Sequence, residues 1–299
     1  MATLRDIRRR IASVKSTQQI TRAMKLVAAS KLRRAQERIV EARPYCRAMD
    51  AMVSNLVCGP LRELHPLLRE GRGDGEPATK RKLLLVISSD RGLCGAFNSN
   101  IIRRSTDLLR AEQGKQDVSL ALIVVGRKVR DFYKRHGEAV VRSEHVNFFD
   151  KLAYRHAAQI GQEVATAFAG GEVDEVELLY TEFRSAASQR VVVERLLPIE
   201  APRSAEGQPA AEFIFEPSPA AILESLLPRH VEVQVYRALM DSVAAEYGAR
   251  MTAMESATKN ASEMIDLLTI QFNKARQERI TKELLEIMSG AEALRQSSS

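Results

Sequence analysis

Apolar residues at the two ends of this chain recur at alternating intervals of three and four, whereas those in the middle come in unbroken runs. The first pattern reads Leu4, Ile7, Ile11, Val14, Gln18, Thr21, Lys25, Ala28, Leu32, Ala35, Ile39, Ala42, a heptad seam over more than five heptads. It predicts one long coiled-coil helix to about Val57, interrupted only by Pro44. Thr3 followed by Asp6 is a capping-box-like start, with Asp6 at the positive end of the helix. Such a helix spans roughly 80 Å, more than a compact domain needs. The middle of its seam is small or polar, which permits close approach and fixes register at some loss of grip.

The other end carries a matching pattern. Ser218 and Pro219 read as an N-cap and a first-turn proline, opening a short helix that Pro228 closes or kinks. A second long helix is expected from His230 to about Met288, with Gly290 as its stop. Its seam is Tyr247, Met251, Met254, Thr258, Ala261, Ile265, Leu268, Phe272, Ala275, and it spans roughly 90 Å. Two long helices at opposite ends of one chain pair most simply as an antiparallel coiled coil.

Between them the period changes. Leu83–Ile87, Ser119–Val125 and Val176–Tyr180 are apolar runs of the kind buried on both faces of a sheet, and Arg190–Leu197 is rich in β-branched residues. Helical patterns fill 98–112, 127–136 and 151–169. The alternation predicts a Rossmann-like, mostly parallel α/β domain inserted between the rod helices. Polar linkers at 70–80 and 201–212 bound it, so the expected organisation is an N-terminal rod helix at 1–60, the α/β domain at 80–200 and a C-terminal rod helix at 213–299.

Composition narrows the class. The chain is 45% hydrophobic and 28% charged, which excludes wholesale disorder, and no run approaches the length of a membrane span. There is no Trp and only 5% aromatic residues, in keeping with a thin helical architecture. The first residues, MATLRDIRRRIAS, lack the apolar core of a secretory signal, so a cytoplasmic location is expected. Cys46, Cys58 and Cys94 include no CxxC pair, and Cys46 and Cys58 are too far apart along a helix for a disulfide. The net charge of +7 is concentrated: up to Arg47, thirteen Lys or Arg residues stand against Asp6, Glu37 and Glu41. Nucleic acid, an anionic membrane surface and an acidic protein all fit that charge.

Candidate chemistry is sparse. Ser88–Asn100, SSDRGLCGAFNSN, follows the first strand, where α/β sheets bind ligands. It is neither GxGxxG nor a phosphate loop, and reads as a tight strand-to-helix turn, with a nucleotide site as the lesser reading. The histidines (His65, His136, His145, His156, His230) have no metal-binding spacing, and Ser88, Ser89 and Asp90 have no GxSxG elbow or neighbouring histidine. No catalytic residue, metal or cofactor is therefore expected. A basic-zipper DNA arm is disfavoured because Arg8, Arg9, Arg10, Lys15, Arg22, Lys31, Arg33 and Arg34 are interleaved with the seam, not set apart from it.

Several segments together resemble one family. LRDIRRRIASVKSTQQITRAMKLVAASKLRRAQ (Leu4–Gln36) and ITKELLEIMSGAEA (Ile280–Ala293) are similar to the terminal helices of the γ subunits of F-type ATP synthases. The likeness extends through Ser88–Asn100, Glu172–Gln189 and Phe213–Met240, in the family's order.

The resemblance implies a rotor subunit with no catalytic site of its own. It would couple proton flow through a membrane c ring to the catalytic sites of β subunits, in the direction of ATP synthesis or hydrolysis. Its coiled coil would stand inside an α–β hexamer, and its α/β domain beside the ε subunit and the c ring. Residue by residue, Met24 and Lys25 match positions near an acidic lever loop of the β subunit. Arg276, Gln277 and Thr281 match positions meeting another β-subunit loop, the tip beyond Ile287 matches an end seated in an apolar collar, and Glu216 matches a c-ring contact. The expected setting is the cytoplasmic face of a bacterial inner membrane. Chloroplast members carry a cysteine pair in an inserted loop, and residues 201–212 hold no cysteine, so thiol regulation is not expected. A nucleic-acid-binding coiled coil and a nucleotide-binding α/β enzyme remain as the alternatives that ignore the C-terminal segment.

Overall fold

The computed structural model describes residues 3–56, 65–69, 79–114, 117–137, 139–199 and 218–297. In chain order the elements are α1 (Leu4–Leu56), β1 (Lys80–Ile87), α2 (Phe97–Gln113), β2 (Val118–Val125), α3 (Arg127–His136), β3 (Val140–His145), α4 (Tyr154–Ala169), β4 (Glu175–Phe183), β5 (Gln189–Leu197) and α5 (Pro219–Ser297). Two compact units emerge, one built from Met1–Val27 with Thr252–Ser299, the other from Ala28–Met251.

In the first unit α1 and α5 pair antiparallel. Arg8 lies over the Phe272 ring at 5.4 Å, Thr258 reaches Thr21 at 2.8 Å, and Lys25 meets Glu255 at 2.5 Å, so each step up α1 is matched by a similar step down α5. The seam positions Leu4 to Lys25 and Met254 to Ala275 are all at least half-buried, as the heptad spacing predicts. The α1 start is a capping box: Thr3 N and Oγ1 donate to Asp6 Oδ2 at 3.1 and 2.7 Å, and Asp6 N donates to Thr3 Oγ1 at 3.2 Å.

The second unit is a five-stranded sheet in the order β3-β2-β1-β4-β5. β1, β2, β3 and β4 are parallel, and β5 returns antiparallel to β4. Alternation along the strands feeds two layers. Leu84, Val86, Leu122, Val124 and Leu179 face α2 and α3, where Ile101, Leu109, Val129 and Tyr133 complete the packing. Leu83, Leu85, Ile87, Ile123, Val125 and Leu178 face α4 and α5, and Leu32, Ala35, Cys46, Met49 and Val53 of α1 join the same core. Within this unit α5 is buried on more than one side: Leu223, Leu227, Val231, Val233 and Val235 are all fully buried.

Three details correct the sequence reading. Pro228 does not close the helix, because α5 runs through it. Fully buried Leu227 and Val231 flank the proline, and their packing offsets the roughly 3 kcal/mol an interior proline costs. Gly290 is not a stop either: α5 continues to Ser297, through a sequence of good helix formers. β3 was not expected, since VVRSEH is a half-polar edge strand with no apolar run. The N-cap is as expected, with Ala221 N donating to Ser218 Oγ at 3.3 Å.

Candidate functional site

The residues singled out from sequence fall in two stretches of the first unit. Met24 is half-buried at the seam edge, and Lys25 is held by Glu255, with the lysine side chain 36% and the glutamate 59% exposed. Arg276, Gln277, Thr281 and Ile287 lie farther along α5, and all four are exposed. Lys25 and Arg276 are thus separated: Lys25 pairs at Glu255, and the 21 residues from there to Arg276 span roughly 30 Å of helix. Glu216 lies outside the described residues, as do Cys58 and the 201–212 linker.

Around Arg276 the helix pairing creates a groove of about 670 Å³, walled by Leu4, Arg5 and Arg8 of α1 and by Phe272, Arg276, Arg279, Ile280 and Glu283 of α5. Arg8 stacks on Phe272, and Arg279 pairs with Glu283 at 2.8 Å, which leaves the groove basic with an apolar floor. Sequence reading singled out Arg276 and set Arg8 on the basic face of α1 but did not join them, because only the antiparallel register brings Arg5 and Arg8 beside Arg276 and Arg279. Past the groove, Leu284, Leu285, Ile287 and Met288 are 56–69% exposed. Large apolar side chains on a helix with no cover of its own mark a surface that another molecule covers.

In the second unit the turn after β1 is tied into its surroundings. Ser88, fully buried, accepts from Val129 N at 3.1 Å and donates to Val125 O at 3.2 Å. Ser89 N and Oγ both donate to Asn98 Oδ1 at 3.0 Å. Asp90 Oδ1 accepts from Arg127 N and Asn147 N, each at 3.0 Å, and so places a carboxylate at the amino end of α3. A carboxylate there is favourable toward the free N–H groups and positive end of the helix. Leu93 and Gly95 adopt left-handed φ of 63° and 56°, the turn geometry for which Gly95 is needed.

The same turn grips α5. Cys94 and Phe97 pack on Ala245, and Arg250 Nη1 donates to Gly92 O at 2.8 Å while its other nitrogen pairs with Glu246. Burial pushes the Glu246 carboxyl and the Cys94 thiol above their ordinary values. Asp150, in the short 3₁₀ turn Phe149–Lys151, bridges two cations: Lys31 of α1 at 2.8 Å and Arg91 of the turn at 2.6 Å. The Lys31 bond is the main reason the Asp150 carboxyl is held below its usual range, and reciprocally the Lys31 ammonium is raised. No segment of the sequence signalled Asp150.

Comparison with known proteins follows the same outline. A family model described as ATP synthase matches residues 3–294. The ATP synthase gamma chain of Geotalea uraniireducens is 45% identical over 295 residues, covering 99% of this chain and 100% of its own. Among solved structures, the central stalk and c-ring of the Tetrahymena thermophila mitochondrial ATP synthase contain a chain 26% identical, with TM-score 0.57 over 80% of this chain and 99% of that one. A chain of the Euglena gracilis mitochondrial ATP synthase shares the fold with TM-score 0.70 over 99% of this chain and 96% of its own, at 21% identity.

Proposed function

The chain belongs to the ATP synthase gamma chain family and is a central-stalk rotor subunit, and from that premise we propose how its parts divide the work. Residues 1–60 and 213–299 form the shaft inside an α–β subunit hexamer, and residues 80–200 form the domain that meets the ε subunit and the c ring. The shaft's rotation carries each β-subunit site in turn through different nucleotide affinities, so this chain has no catalytic site and needs no cofactor. It is peripheral to the cytoplasmic face of a bacterial inner membrane. Among the described residues no helix is long and apolar enough to cross a membrane.

The observation that carries this reading is the run of exposed apolar side chains at the end of α5, Ile280, Leu284, Leu285, Ile287 and Met288. In the proposal that end sits in the apolar collar of the hexamer, with Ile287 among its contacts. The basic groove with Arg276, beside Gln277 and Thr281, faces an acidic β-subunit loop, and Met24 and Lys25 face the lever loop. Attraction between exposed charges is weakly directional and screened, which suits a contact that must slide. Glu216 is the proposed c-ring contact.

The test is reconstitution. Mixed with α and β subunits, the chain should give a complex with one copy per hexamer and stimulated, cooperative ATP hydrolysis. The double variant Arg276→Glu, Gln277→Leu should assemble but lose most ATP synthesis in energised vesicles. Unchanged synthesis would remove these residues from the contact, and failure of the parent chain to assemble would remove the rotor reading for this chain.

A further inference from the structure

The turn Ser88–Asn100 is tied to its surroundings by side-chain bonds of Ser88, Ser89, Asp90 and Asn98. Its links run to both long helices. Towards α5 they are the apolar contact of Cys94 and Phe97 with Ala245 and the Arg250 bond to Gly92 O at 2.8 Å. Towards α1 the link is indirect and electrostatic: Arg91 of the turn to Asp150 at 2.6 Å, and Asp150 to Lys31 at 2.8 Å. Asp150 uses Oδ2 for the first and Oδ1 for the second, so one carboxylate closes both bonds at once.

We propose that Asp150 is a positioning residue for rotary coupling, a polar tie that acts beside the buried contacts of Leu32, Ala35, Met49 and Val53 in passing turning of the sheet to α1. The inference rests on the rotor reading above and adds a residue to it. α5 is fixed to the turn by packing and by a buried arginine, and needs no further help. At this level α1 presents Lys31, Arg34 and Arg38 along a shallow pocket floored by Phe149, Leu152 and Met240. An apolar floor resists separation but slides readily, whereas a charge held between two opposite charges resists sideways displacement. Without the carboxylate, Lys31 keeps its contact with the Tyr247 ring at 5.3 Å, but its attraction toward Arg91 of the turn is replaced by repulsion between like charges. The tie is partly exposed, with Lys31, Asp150 and Arg91 side chains 37%, 44% and 68% accessible. It therefore contributes little to folding, and its loss should separate coupling from stability.

The experiment uses the whole synthase reconstituted in vesicles, with ATP hydrolysis and ATP-driven proton pumping measured on one preparation. Asp150→Asn should leave hydrolysis within about twofold of the parent and the melting temperature of the free chain nearly unchanged, while pumping per ATP falls to about half or less. Lys31→Gln should give the same loss, the double variant no more than either alone, and Asp150→Glu should restore the ratio. An unchanged pumping-to-hydrolysis ratio in Asp150→Asn overturns the proposal. So does a proportional loss of both activities with a lowered melting temperature, which would make Asp150 a part of the fold only. If the parent chain supports hydrolysis but no pumping, the rotor reading itself fails, and the proposal with it.

Discussion

Thr258 of α5 meets Thr21 of α1 hydroxyl to hydroxyl at 2.8 Å, inside the seam, between the polar positions Gln18 and Lys25. Thr21 passes its own proton to Gln18 O at 3.0 Å, and Thr258 also lies 2.7 Å from Met254 O. Each hydroxyl thus has a place for its one proton, Thr21 at Gln18 O and Thr258 at either Thr21 Oγ1 or Met254 O, which is the condition for burying the pair. Replacing one partner breaks the chain of bonds, while replacing both removes the need for it. Thr21→Val alone should cost about 1 kcal/mol, and Thr21→Val with Thr258→Val should recover most of that loss. Urea unfolding of the four chains of the cycle measures the difference, and additive losses would show that the two hydroxyls act independently.

Asp241 sits on α5 in the second unit, where burial raises its carboxyl to about 6 even with Arg237 nearby to oppose the shift. A carboxyl raised on folding contributes stability when protonated, below about pH 4, and loses it as pH rises through about 6. Asp241→Asn should therefore stabilise the chain at pH 8, by up to about 3 kcal/mol, and have almost no effect near pH 4. Melting temperatures of the two chains across that range give the test. A constant offset at every pH would mean that the carboxyl is not the cause.

Two glycines should respond to alanine with opposite signs. At Gly161 in α4 an added Cβ would stand 2.9 Å from Glu232 Cα and 3.1 Å from its nitrogen, in the crossing of α4 on α5. Gly161→Ala should cost about 1–3 kcal/mol in denaturant unfolding. At Gly290 an added Cβ meets nothing within 4 Å in the middle of a helical stretch. Gly290→Ala should strengthen that turn by about 0.5–1 kcal/mol, seen as slower amide exchange around it. Faster exchange there would contradict the continuous helix.

Cys46 and Cys94 are buried free thiols, and burial raises both above their ordinary value. Their alkylation in the folded chain, followed by peptide mass analysis, should be at least about tenfold slower than in denaturant. Dithiols should leave the ATPase rate of the assembled complex unchanged. A dithiol-dependent rate would point to a thiol switch after all.

What the sequence disclosed, and what it hid, follows the range of the interactions. The seams of α1 and α5 were readable because a single period carries them from Leu4 to Ala42 and from Tyr247 to Ala275. β1, β2 and β4 were readable because burial on both faces leaves unbroken apolar runs. β3 was not, since as an edge strand it needs few apolar residues. Pro228 and Gly290 misled for one reason: local preference is small beside the packing of Leu227 and Val231 or the helical continuity of α5. The groove around Arg276 and the Asp150 tie were invisible because they join residues far apart in sequence, Arg8 with Phe272 and Asp150 with Lys31 and Arg91, and only the fold brings these together.

The first unit is made of the opening 27 residues and those from Thr252 onward, with the whole second unit in between. During synthesis, then, the half-seam from Leu4 to Lys25 leaves the ribosome without its partner. At about 5–20 residues per second it waits on the order of tens of seconds until α5 is complete. In that interval the basic residues beside the seam, Arg8, Arg9, Arg10, Lys15 and Arg22, are a safeguard: the apolar positions from Leu4 to Val14 could pair with a neighbouring chain, but like charge around them opposes pairing between copies. The charge that flanks the seam thus also protects the nascent chain.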